Sequence, residues 1–184
     1  MNSLQNNINK DKNFFYSKAD TLLNLNLKNA KIPILKKIYF KTYFQNKNKI
    51  LNSISSKFKN KFIIIRSSFS NEDTQITSNA GKYESYLNIL SSDHKTINLK
   101  IDRLSKLKKT LRGEHFFIQE MVKNVSFSGV ILTRNLENYS KCININYFDG
   151  NNTEIVTAGK KGSKNIVYYE NSNFEIPKKF KKIY

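Results

Sequence analysis

At 184 residues and 39% hydrophobic content, the chain is long enough for one domain, or one domain in two lobes, around a genuine core. No apolar run approaches the ~20 residues of a membrane span, and the polar first 13 residues lack the apolar centre of a signal peptide. A cytoplasmic protein with no membrane partner is the expectation, and the lone Cys142 excludes an internal disulfide or a thiolate metal cage.

The formal charge of +18 (32 Lys and Arg against 14 Asp and Glu) invites a phosphate-bearing polymer as partner. The excess is nearly all lysine, however, scattered from end to end. Arginine, the preferred reader of phosphates and bases, occurs only as Arg66, Arg103, Arg112 and Arg134. That distribution argues against nucleic acid as the main partner.

In chain order, a polar leader (residues 1–13) precedes a predicted helix over residues 14–27, with Ser17 as its cap and Lys18 and Asp20 in its first turn. Pro33 interrupts the pattern, and Ile38-Tyr39-Phe40 is a short strand candidate. The spacing of Phe44, Ile50, Leu51, Ile54 and Phe58 predicts a helix over residues 42–58. The apolar run Phe62-Ile63-Ile64-Ile65 reads as a buried strand that delivers Arg66, Ser67 and Ser68 into a polar loop, with another strand over residues 84–90.

Ile97, Ile101, Leu104, Leu107 and Leu111 recur at three and four, which predicts an amphipathic helix over residues 95–111 closed by Gly113. Strands are then predicted over residues 116–122, 127–133, 142–148, 153–157 and 165–169, with Asp149-Gly150 as a tight turn and a basic tail from Lys178. A mixed half followed by a strand-rich half predicts an α+β protein in two lobes, residues 14–113 and 114–184, with a ligand between them.

Ile65-Arg66-Ser67-Ser68-Phe69-Ser70-Asn71-Glu72-Asp73, followed by Asn79-Ala80-Gly81-Lys82-Tyr83-Glu84-Ser85-Tyr86-Leu87-Asn88, carries the most chemistry. A guanidinium at the end of a buried strand requires an anionic partner. Either Glu72 or Asp73 pairs with Arg66 inside the protein, or a ligand's phosphates do. Small hydroxyls and a glycine that lets backbone amides approach suit the second case. His94 and His115 have no nucleophile or metal partner at useful spacing and read as turn or packing residues.

This stretch resembles the nucleotide-binding domain of phosphoenolpyruvate synthase, pyruvate phosphate dikinase and rifampicin phosphotransferase, whose members carry an Arg-Ser-Ser run, an acidic pair, and Ala-Gly before Leu-Asn. The resemblance extends over residues 17–159. Tyr16-Ser17-Lys18-Ala19-Asp20-Thr21-Leu22 sits where that family has Gly-Gly-Lys-Gly-x-x-Leu, here without its glycines. Phe117-Ile118-Gln119-Glu120-Met121-Val122 resembles its Val-Gln-x-Met-Val strand, and Ser128-Gly129-Val130-Ile131-Leu132-Thr133-Arg134-Asn135 its Ser-Gly-Val-x-Phe-Thr-Arg-Asn.

The resemblance implies an ATP-grasp-like pair of lobes that binds ATP and serves a kinase or transferase reaction, passing a phosphoryl group to a carrier histidine. Lys18 and Arg66 would act catalytically by stabilising phosphate charge, Gly81 and Ser85 would close over the phosphates, and Gln119, Met121 and Val122 would hold the base. Arg134 is structural or faces the acceptor.

Relatives continue into a Glu…Gln-x-Arg segment that holds magnesium, and then into a carrier-histidine domain. Neither is expected before Tyr184, so the domain is expected to be truncated at its C-terminus and its Mg2+ ligands to lie in a separately encoded remainder, or to be lost. Such a fragment would bind nucleotide and turn over little. The rival readings are a catalytically dead remnant and a non-enzymatic basic module for a polyanion.

Overall fold

The computed structural model describes residues 17–26, 28, 30–69 and 84–169. Two antiparallel sheets organise them: one of four strands with helices packed against it, and one of three strands. The protein is thus a mixed α+β molecule. It divides into two units, residues 1–27 with 32–121 and residues 28–31 with 122–184. Among the described residues, no helix is long and apolar enough to cross a membrane.

The first unit runs α1 (Lys18–Asn24), β1 (Leu35–Tyr39), α2 (Phe40–Gln45), α3 (Lys47–Phe58), β2 (Phe62–Ser68), β3 (Ser85–Leu90), α4 (His94–Ser105) and β4 (His115–Glu120). Its strand order is β1-β4-β2-β3. Strand alternation divides the side chains between two faces. One face sends Ile38, Ile63, Ile65, Ile89, Phe116 and Ile118 into the main core, against Phe40, Tyr43, Ile54, Phe58, Ile97, Ile101 and Leu104 of the helices. Phe116 sits at the centre of this core, its ring 5.0 Å from that of Phe40 and 5.8 Å, edge-on, from that of Tyr43. Truncating such a fully buried ring to alanine costs about 3–5 kcal/mol.

The opposite face carries a smaller cluster in which Ala19 and Leu22 of α1 pack on Leu35 and Phe117. Within α1 only Ala19 is buried, while Leu23 is 53% exposed.

Several other elements differ from expectation. Arg66, Ser67 and Ser68 do not enter a loop. They continue β2, because Phe117, Phe116 and His115 of β4 pair opposite them and satisfy their backbone groups. The helix expected over residues 42–58 is two helices: Asn46, at φ −134° and ψ 38°, breaks the ladder, and α2 begins two residues earlier at Phe40. Asp93 caps α4 by accepting the Thr96 amide at 3.0 Å, and α4 ends at Ser105, short of Leu107. Gly113, at φ +76°, instead belongs to the turn that enters β4.

The second unit is a meander of β5 (Phe127–Arg134), β6 (Lys141–Asp149) and β7 (Lys164–Tyr169). Ile145 and Tyr147 form its small core with Phe127, Ile143, Ile166 and Tyr168. The other face of β6 bears Asn144 and Asn146, which Asn165 of β7 joins by amide hydrogen bonds of 3.1 and 2.7 Å. Residues 153–157, expected as a strand, are bends and turns closed by the Ala158 amide donating to the Glu154 carbonyl. The division between units falls after Met121 rather than after residue 113, since β4 is an inner strand of the first sheet. The polar leader and the basic tail lie outside the described residues.

Candidate functional site

On the α1 side of the first sheet, the register sets side chains in rows across the strands. One row is Lys37 on β1, Phe117 on β4, Arg66 on β2 and Ser85 on β3, each paired with the next. The row beside it is Tyr39, His115 and Ser68. The row on its other side is Leu35, Gln119 and Ile64. Arg66 therefore emerges from the sheet with an aromatic ring on one side and a hydroxyl on the other. Its guanidinium carbon lies 5.5 Å from the Phe117 ring centroid, a cation–π distance.

The first turn of α1 is fastened over this face at three points. Ser17 caps the helix, its hydroxyl accepting the Asp20 amide at 3.2 Å, and the same oxygen lies 2.8 Å from His115 Nε2. The Ala19 amide donates to Ser68 Oγ at 3.0 Å. Lys37 Nζ donates to both carboxylate oxygens of Asp20, at 2.6 and 2.8 Å.

Burial works against the charged forms of Asp20 and Lys37, but their mutual hydrogen bonds and attraction outweigh it. The carboxyl group is held below its ordinary value and the ammonium above its own. Burial lowers His115, helped by the Lys37 charge and opposed by Asp20, the Gly113 backbone and Glu114.

Held this way, α1 brings Lys18 to the same cavity as Arg66, a concave space of ≈ 280 Å³ lined by Lys18, Thr21, Leu22, Arg66 and Phe117. Two cations, a hydroxyl and an apolar wall form a surface chemically suited to an anionic group attached to a flat or apolar body. Lys37 pairs with Asp20, and Lys18 and Arg66 are the cationic side chains on the cavity wall.

Of the residues singled out from sequence, Lys18 and Arg66 meet in one cavity. Ser85 stands beside Arg66 across the β2–β3 pairing, exposed and outside the cavity wall. Gly81, with Glu72 and Asp73, falls in residues 70–83, outside the described residues. Gln119 is buried on the same sheet face, but its strand is paired on both edges, with Leu35 on one side and Ile64 on the other. The Met121 amide donates to the Phe62 carbonyl at 3.0 Å, and Val122, just beyond the division between units, is 61% exposed. The backbone edge expected to read a base is thus largely occupied by the sheet itself.

Arg134 has a structural role, its guanidinium donating to the Tyr139 carbonyl at 3.0 Å across the β5–β6 turn. Sequence reasoning missed Asp20, Lys37, Phe117 and His115, whose roles arise from pairing across strands; the adjacent lysines Lys36-Lys37 in an extended segment were the available hint, since alternation sends one to each face.

Among the described residues, no group of three or more His, Cys, Asp or Glu side chains is placed to hold a metal ion. No protein-family model, curated protein or solved structure matches the chain.

Proposed function

We propose that the first unit is a nucleotide-binding module of the phosphoenolpyruvate synthase and pyruvate phosphate dikinase type, one lobe of an ATP-grasp-like arrangement, with ATP phosphates between Lys18 and Arg66. One observation carries the reading: a lysine on α1 and an arginine on β2, distant in sequence, line a single cavity with Phe117 as its apolar wall. The rung that places Ser85 beside Arg66 adds a hydroxyl at the edge of the same face.

The work assigned to these side chains is electrostatic. A guanidinium makes forked, charge-assisted hydrogen bonds to phosphoryl oxygens, an ammonium adds a compact charge, and an apolar wall strengthens both by excluding water. Magnesium would neutralise further phosphate charge, but the described residues at this cavity include no carboxylate that could hold it, so no step is derived through a metal.

Titration of ATP into the full chain, followed calorimetrically, tests the reading. Saturable binding that prefers ATP to GTP and is largely lost in Arg66→Ala supports it. Binding that ignores Arg66→Ala, accepts any polyanion and falls steeply with salt favours the rival reading of a basic polyanion-binding module.

A further inference from the structure

The other side of β1 carries a second cationic cavity, separate from the one proposed for nucleotide. Lys37 points toward α1, so its neighbour Lys36 points the opposite way, toward α2 and α3. There a cavity of ≈ 330 Å³ is lined by Lys36, Thr42, Asn46, Lys49, Ile50 and Ser53. This size lies at the low end of the roughly 300–1,000 Å³ range of small-ligand pockets.

The side chains are arranged with a direction. The Ser53 hydroxyl donates to the Ile50 carbonyl at 2.6 Å, which leaves its lone pairs to accept Lys36 Nζ at 2.5 Å. Ser53 thereby fixes where the ammonium sits while leaving two of its three N–H groups uncommitted to that contact. Lys49, Ser53 and Lys57 follow at four-residue intervals on α3, so they lie along one helix face. Among the described residues, no carboxylate lines the cavity and no ion pair holds Lys36. Burial, followed by repulsion from Lys57, holds Lys36 below the ordinary lysine value. A partly buried ammonium with like charge nearby and no counter-ion is a costly arrangement unless an anion completes it.

We propose that Lys36, Lys49, Ser53 and Thr42 form a second anion site, selective for a small phosphate-bearing ligand, on the face of the sheet opposite Arg66. The ligand would accept from Lys36 and the Thr42 hydroxyl, with Ser53 holding the Lys36 ammonium in place, while Lys49 closes the open side. The predominance of donors over acceptors at the wall sets the class: a dianionic phosphate uses several donors at once, where chloride or a carboxylate uses fewer.

The test is titration of inorganic phosphate into the full-length chain at constant ionic strength, with lysine side-chain resonances followed by NMR. The expected result is saturable movement of the Lys36 and Lys49 signals, in the parent protein and equally in Arg66→Gln. Lys36→Gln, which can still reach Ser53, should weaken the affinity about tenfold or more with the amide spectrum otherwise retained. Lys49→Gln, at an exposed helix position, should weaken it about threefold, and serves if the first variant does not fold. A linear drift without saturation, loss of the effect in Arg66→Gln, or unchanged affinity in both lysine variants would overturn the proposal.

Discussion

Arg66 and Phe117 face each other across the β2–β4 ladder, the guanidinium 5.5 Å from the ring, and both line the cavity that Lys18 reaches from α1. At that distance the ring adds a cation–π attraction to the guanidinium. Arg66→Ala is expected to lower nucleotide affinity by about 10- to 100-fold, the range for a charge-assisted contact of roughly 1.5–3 kcal/mol. Arg66→Lys should recover little, because an ammonium cannot make the forked contact. Phe117→Leu, which keeps an apolar wall, should cost only about 0.5–1 kcal/mol of that affinity. Calorimetric titration of the three variants ranks them, and equal losses in all three would contradict the geometry.

The Asp20–Lys37 pair acts on the cavity through Lys18. With the lysine side chain 17% and the carboxylate 29% exposed, the pair is partly screened, and its removal should cost global stability about 1 kcal/mol at most. Its local effect should be larger, since α1 has one buried side chain and depends on Asp20, Ser17 and the Ala19 amide for attachment. Lys37→Met should therefore speed hydrogen exchange in α1 well beyond the rest of the first unit. Uniform acceleration across the unit would mean that the pair supports the whole fold instead.

Which parts of this were legible in the chain follows from the range of the interactions. Apolar spacing found β2, β3, α3 and α4 because Ile63, Ile65, Ile97, Ile101 and Leu104 bury one face of their own element, a property written locally. Ser17 was legible as a cap for the same reason. The loop expected after Ile65 was wrong because polarity suggested solvent, whereas Arg66, Ser67 and Ser68 are held by strand partners about fifty residues away on β4. No local signal marks that pairing. The row Lys37–Phe117–Arg66–Ser85 likewise requires the strand order, which places β4 between β1 and β2. Lys18 was singled out by resemblance to a known motif, Arg66 also by its place at the end of a buried apolar run, and the cavity they line is a fact of tertiary structure.

Gly129 is required by a close approach rather than by an unusual backbone angle. It sits opposite Tyr147 on the β5–β6 ladder, and a methyl group there would run into the Asn146 carbonyl oxygen and lie 3.0 Å from the Tyr147 Cα. These neighbours are backbone atoms of a paired strand and cannot swing aside. Gly129→Ala should destabilise the second unit by about 1–3 kcal/mol through forced displacement of β6. Amide exchange or fluorescence-monitored urea unfolding would register it, and a neutral outcome would mean the two strands are further apart than described.

Acid should lower the stability of the first unit in two separable steps. His115 is depressed below its ordinary 6.5, first by burial and then by Lys37. Between its folded and unfolded values the unfolded chain therefore holds more proton, and stability rises with pH across that interval. The contribution is complete above 6.5 and is lost as pH falls through the folded value. Asp20 is depressed below 3.8, since the Lys37 and Ser17 hydrogen bonds outweigh its burial, so its contribution is lost only at lower pH, below that value. His115→Gln, which can still meet Ser17, should remove the upper step and leave the lower, while Asp20→Asn should do the reverse. Urea midpoints recorded from neutral pH down to about pH 3 would separate the two. An upper step that persists in His115→Gln would assign it to some other group and remove the Ser17–His115 contact from the account of how α1 is held.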